Sequence, residues 1–118
     1  MATGTLTRVD ELLSFREEVR RIDMKVDSEF QRTLRTAQKL LEMSEREIGD
    51  ALSVSRPSVN RWMNGTNLPY NAMRKVVFSW IDRQLTARIR TIEGIERSQR
   101  FSAAAPAVEL RYAAKSRD

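Results

Sequence analysis

Neither cysteine nor histidine occurs among the 118 residues of the chain. Without cysteine there is no disulfide, no thiolate ligand and no thiol nucleophile. Without histidine the commonest metal ligand and the commonest general base are also missing. Nothing that remains combines a nucleophile, a base and an orienting group, so no enzyme, metal or other cofactor is expected. Three prolines and four glycines are few, and alternating β-branched residues are scarce, which argues against a sheet. No run approaches the roughly 18 apolar residues that a membrane span needs. Asp10 and Glu11 interrupt the N-terminal region where a secretory signal requires its apolar stretch, so a cytoplasmic protein is expected.

What is present is helical and charged. Hydrophobic residues make up 41% of the chain and charged residues 31%, enough for one modest core with a well-solvated surface. The net charge of +5 is unevenly placed. Residues 1–54 carry 9 basic and 11 acidic side chains. Residues 55–85 carry Arg56, Arg61, Arg74, Lys75 and Arg83 against Asp82 alone, and residues 86–118 carry 7 basic against 4 acidic. A basic middle segment suits a polyanionic partner, although a solvated face has the same composition.

Apolar spacing divides the chain into helices. Val9, Leu12, Leu13, Val19, Ile22 and Val26 recur at three- and four-residue steps and predict a helix over about 6–24. Ser28 and Gln31 read as a capping box opening a second helix, with Phe30, Leu34, Ala37, Leu40 and Leu41 as its stripe. Ser44 and Glu47 repeat that signature before Ile48, Ala51 and Leu52, predicting a short helix over 44–52. Ser55 caps a fourth, which tolerates Pro57 in its first turn and ends at Asn64-Gly65. After a loop at 66–69, a longer helix begins near Tyr70 or Asn71 and buries Met73, Val76, Val77, Trp80 and Ile81. Leu85, Ile89, Ile92 and Ile95 extend its stripe to about Arg100, as core or as a subunit contact. Residues 101–118 read as a flexible tail with one faint strand signal at 108–112. The expected organisation is an N-terminal amphipathic extension over 1–27, a central domain over 28–85, a helical extension over 86–100, and the tail.

The central pair carries the functional signal. Two short helices joined by a tight turn, the second beginning with small and basic residues, form the helix-turn-helix pattern. Gly49 inside the first helix implies close approach of the next one. Val59 and Trp62, three residues apart, share the buried face of the second. The opposite face then holds Arg56, Pro57, Ser58, Asn60 and Arg61, types that suit base edges in a major groove.

Residues 41–69, LEMSEREIGDALSVSRPSVNRWMNGTNLP, resemble the lambda-repressor and Cro class of helix-turn-helix regulators, also called xenobiotic-response-element-type. The likeness extends more loosely over 28–85. It implies an all-α, lambda-repressor-like helix-turn-helix bundle, here with an extra N-terminal helix and an extended C-terminal helix. It places the helix at 55–63 in the major groove, with Arg56, Pro57, Ser58 and Arg61 facing bases. Ser55, Thr66, Asn67, Asn71, Arg74 and Lys75 are expected at the flanking phosphates. Three positions depart from the family. Ser53 stands where a turn glycine is usual, and Met63 where many members have glutamate. Glu45 stands where glutamine often lies near a phosphate; an acid there repels DNA unless it orients an arginine, so it is assigned no contact. The implied function is a sequence-specific, double-stranded-DNA-binding transcriptional regulator such as a repressor, bacterial or from a mobile element. It is expected to be nucleoid-associated and to bind as a homodimer through 85–95 or 6–24. The rival reading is a protein-interaction module, an antiactivator or adaptor, that keeps the fold without specific DNA binding.

Overall fold

The computed structural model describes residues 3–104, which form five helices and no strand. They are α1 (Thr3–Arg21), α2 (Asp27–Leu41), α3 (Glu45–Leu52), α4 (Arg56–Met63) and α5 (Asn71–Ala104). Most of the expected tail, including the strand signal at 108–112, lies outside the described residues. No helix among those described is long and apolar enough to cross a membrane.

One helix starts and three helix ends explain most of the local architecture. At the start of α3 the Ser44 hydroxyl accepts from the Glu47 N–H, and the Glu47 carboxylate accepts from the Ser44 N–H at 2.9 Å, the expected capping box. The corresponding expectation for Ser28 and Gln31 fails. Helix α2 begins at Asp27 behind Val26, with no side-chain cap, and the Gln31 amide instead donates to the Met63 carbonyl at 2.8 Å. Helices α2, α3 and α4 all close with the same double hydrogen bond. It is Met43 N–H to Gln38 O with Glu42 to Lys39, then Val54 to Gly49 with Ser53 to Asp50, then Thr66 to Arg61 with Gly65 to Trp62. The pivotal residue of each is left-handed: Glu42 at φ 53°, Ser53 at φ 60° and Gly65 at φ 76°. Only the last is the residue type that adopts this conformation without strain.

A single core runs through all five helices. Phe30 of α2 is its hub, edge-on to Trp62 of α4 (ring centroids 6.2 Å apart) and stacked on Phe78 of α5 (6.0 Å). Such aromatic pairs each add about 0.5–1.5 kcal/mol beyond the apolar area they bury. Helix α1, expected as an extension, is built into this core. Val9, Leu12, Phe15 and Val19 are buried in the same cluster as Val77, Ile81, Leu85 and Ile89 of α5. Arg20 grips Asp82 through both carboxylate oxygens (2.7 and 3.1 Å), and Arg16 donates to the Thr86 hydroxyl at 3.1 Å, so the two helices run antiparallel. Arg8 of α1 and Arg88 of α5 donate to the Leu40 and Leu41 carbonyls, cationic partners for the exposed carbonyls at the α2 terminus.

This packing decides the two readings of the 85–95 stripe. Leu85 and Ile89 are core, Ile92 is half-buried and Ile95 is 53% exposed, so the stripe leaves the core along its length. Two apolar residues expected inside are also outside: Val26 and Val76 are 44% and 50% exposed.

Candidate functional site

The approach of α4 to α3 rests on Gly49. A Cβ placed there would sit 2.7 Å from the Val54 carbonyl oxygen, closer than real atoms come. The glycine therefore makes room for the three-residue link at 53–55 rather than for the body of the next helix. Ser55 then caps α4 by accepting from the Ser58 N–H at 3.2 Å, and Pro57 occupies the first turn, where its missing N–H has no intrahelical role. Val59, Trp62 and Met63 turn inward, and this leaves Arg56, Pro57, Asn60 and Arg61 exposed along the outer face, with Ser58 half-buried between them.

The outer face is organised by hydrogen bonds. The Glu45 carboxylate, at the start of α3, accepts from the Asn60 amide at 3.1 and 3.3 Å and from Arg56 Nη1 at 3.4 Å. Asn60 Oδ1 in turn accepts from the Asn64 amide at 3.2 Å. The Ser55 and Ser58 hydroxyls lie 2.9 Å apart, and Arg61 donates to Ser58 Oγ at 3.3 Å. The sequence singles out Glu45 only as an acid that would have to orient an arginine, with no contact assigned to it, and it gives Asn64 only as a helix end. The signal for Glu45 was its helix-start position beside the second helix, which matters only once the link length is known.

The loop and the start of α5, which follow α4 in the chain, hold Thr66, Asn67, Asn71 and Lys75, all exposed. Asn67 adopts φ 47°. Arg74 was expected among them at a phosphate, and the structure places it elsewhere. Its side chain is 8% exposed, donating to the carbonyls of Pro69 (2.7 Å), Met24 (3.1 Å) and Lys25 (3.0 Å) and to Asp27 Oδ1 (2.8 Å). Its guanidinium also lies over the Phe30 ring at 5.3 Å. The physical reason is spacing: Arg74 sits three residues before Val77 and four before Phe78, on the buried side of α5, whereas Lys75 lies one residue round the helix, in solvent.

Two carboxylates near these elements are held below their usual range. Hydrogen bonding from the Ser44 backbone N–H, with the Ser44 side chain and the charge of Arg88 adding to it, lowers Glu47. The Arg20 hydrogen bond, assisted by the charges of Arg20 and Arg16, lowers Asp82. Both lie in hydrogen bonds that fix helices, the Arg20–Asp82 clamp between α1 and α5 and the capping box of α3.

Compared with protein-family models, curated proteins and solved structures, the chain has no match.

Proposed function

We propose that the chain is a sequence-specific double-stranded-DNA-binding regulator of the helix-turn-helix kind, with α3 and α4 as the pair and α4 as the helix entering the major groove. The observation that carries this reading is the composition of one exposed stretch of chain. Arg56, Pro57, Asn60 and Arg61 lie exposed on α4, Thr66, Asn67, Asn71 and Lys75 lie exposed after it in the chain, and residues 51–81 contain no Asp or Glu. An arginine can grip guanine through two hydrogen bonds, and the hydroxyls and amides around it can hold the sugar–phosphate backbone. The two arginines would read bases, and Ser55, Thr66, Asn67, Asn71 and Lys75 would set the register. Arg74 is left out of this set.

One reading helix spans only a few base pairs, so a homodimer with its helices about 34 Å apart is the expected working form. Both segments first considered for the subunit contact have their apolar stripes largely inside the core. The contact would therefore use what remains exposed on α5, such as Val76 or Ile95.

The test is duplex binding across a salt series, with sequences selected from a randomised pool. Arg56→Ala or Arg61→Ala should cost about 1–3 kcal/mol on the selected site and relax preference at one base position. Helicity should be unchanged. Absence of any salt-dependent duplex binding would replace this reading with a protein-interaction module.

A further inference from the structure

Glu45 puts a negative charge at the edge of the surface that would meet DNA. As a bare charge it would weaken binding to every duplex, because it lies beside a face otherwise free of acids. Its geometry gives it another role. The side chain is 22% exposed, against 60% for its partner Arg56, so the carboxylate is the held member of the pair and the arginine the free one. A carboxylate offers only acceptors. It can therefore take the Asn60 amide on both oxygens and Arg56 Nη1 on one of them at the same time. Asn60 is thereby fixed in one orientation, its amide nitrogen toward Glu45 and its oxygen on Asn64. With both ends engaged, Asn60 is a strut rather than a reader of bases, although the sequence places it on the reading face.

We infer that Glu45 is the specificity-determining positioning residue of this face. It holds Arg56 against α3 through one Nη, directs the remaining donors of that guanidinium outward, and lowers the affinity of the surface for phosphate that carries no sequence information. The inference rests on the reading of α4 as a DNA-contacting helix. The two effects act in opposite directions on affinity, which makes them separable. Neutralising Glu45 would release Arg56 to any nearby phosphate and unlock the Asn60 amide, so indiscriminate binding would strengthen while discrimination falls.

The experiment uses the full chain with Glu45→Gln and Glu45→Asp. The probes are a random-sequence duplex and the duplex that the unaltered chain enriches from a randomised pool. For Glu45→Gln, binding to the random duplex should tighten, its salt slope should steepen by about one unit, and the selected-to-random affinity ratio should fall by about tenfold. Glu45→Asp keeps the charge but shortens the reach, so it should lower the ratio without tightening random binding. Melting temperature and the side-chain amide resonances of Asn60 in the free protein are recorded for each variant. A ratio and a salt slope unchanged in Glu45→Gln, with the Asn60 resonances shifted, would overturn the inference and leave Glu45 as a structural contact only. A parallel loss on both duplexes would overturn it too. If the unaltered chain enriches no sequence at all, the reading of α4 falls first, and the Asn60 resonances still report whether the Glu45 contact exists.

Discussion

At the scale of single residues, neighbours in sequence divide sharply between holding the fold and facing outward. Arg74 and Lys75 are adjacent and both basic, yet one closes four hydrogen bonds inside the protein and the other stands in solvent. Removing Arg74 leaves three carbonyls without their partner and uncovers one face of Phe30. Arg74→Ala should therefore destabilise the fold by about 2–4 kcal/mol in a denaturant titration. Lys75→Ala should leave the midpoint within about 0.5 kcal/mol and lower the salt slope of duplex binding by roughly one unit. Equal midpoints for the two variants would refute the assignment of Arg74 to the interior. Ser53 makes the complementary case. It sits left-handed at φ 60° between α3 and α4, where a side chain costs roughly 1 kcal/mol. Glycine there relieves that strain but adds freedom to the unfolded chain, so Ser53→Gly should raise stability by no more than about 1 kcal/mol. A clear loss of melting temperature in that variant would mean that the serine has a role beyond the turn.

At the scale of elements, the α1–α5 pair shows which parts of the fold were legible in the sequence. The existence and order of all five helices follow from apolar spacing, and the Ser44, Ser55 and Gly65 boundaries follow from capping chemistry. What spacing does not reveal is the partner of each stripe. The stripe of α1 reads as a candidate subunit contact and the 85–95 stripe of α5 as core or subunit contact, until α1 and the 85–89 part of α5 are seen in one core. Phe15 belongs to that seam and carries no signal beyond its register with Leu12 and Val19. The candidate reading face was legible through Arg56 and Arg61, whereas the Glu45 and Asn64 contacts depend on how the 53–55 link brings α3 and α4 together. Because α5 supplies one side of the seam, truncation after Arg83 would remove Leu85 and Ile89 and uncover Leu12 and Phe15. Each lost large apolar side chain costs about 2–5 kcal/mol, comparable in sum with the whole stability of a small domain. The truncated chain should therefore show no cooperative melting by circular dichroism. A cooperative transition near that of the full chain would show that α2, α3 and α4 hold together without the seam.

At the scale of the whole molecule, charge is sorted by direction. The arginines of α1 that face neighbouring helices, Arg8, Arg16 and Arg20, are engaged with the α2 terminus, Thr86 and Asp82, while Asp10, Glu11 and Glu17 lie on its outer surface. The cations of residues 55–75 other than Arg74 are exposed instead. An approaching polyanion would be drawn to α4 rather than to α1, whose four arginines are balanced by four acids, an orienting effect that weakens as salt rises. The hydrogen-bonded carboxylates also shape how the molecule responds to acid. Asp82 and Glu47 both have carboxyl groups held below their ordinary range, so the folded state binds their protons less readily than the unfolded chain does. Their stabilising contribution is complete above the unfolded carboxylate values of about 4 and is lost as pH falls through the lower, folded values. Melting temperature should accordingly be flat near neutrality, where no histidine titrates, and should drop on acidification below about pH 4. In Asp82→Asn the Arg20 clamp lacks its anion at every pH, so that variant should melt lower at neutral pH and lose less on acidification. An acid-induced drop of the same size in Asp82→Asn would show that other carboxylates, and not the α1–α5 clamp, govern the response.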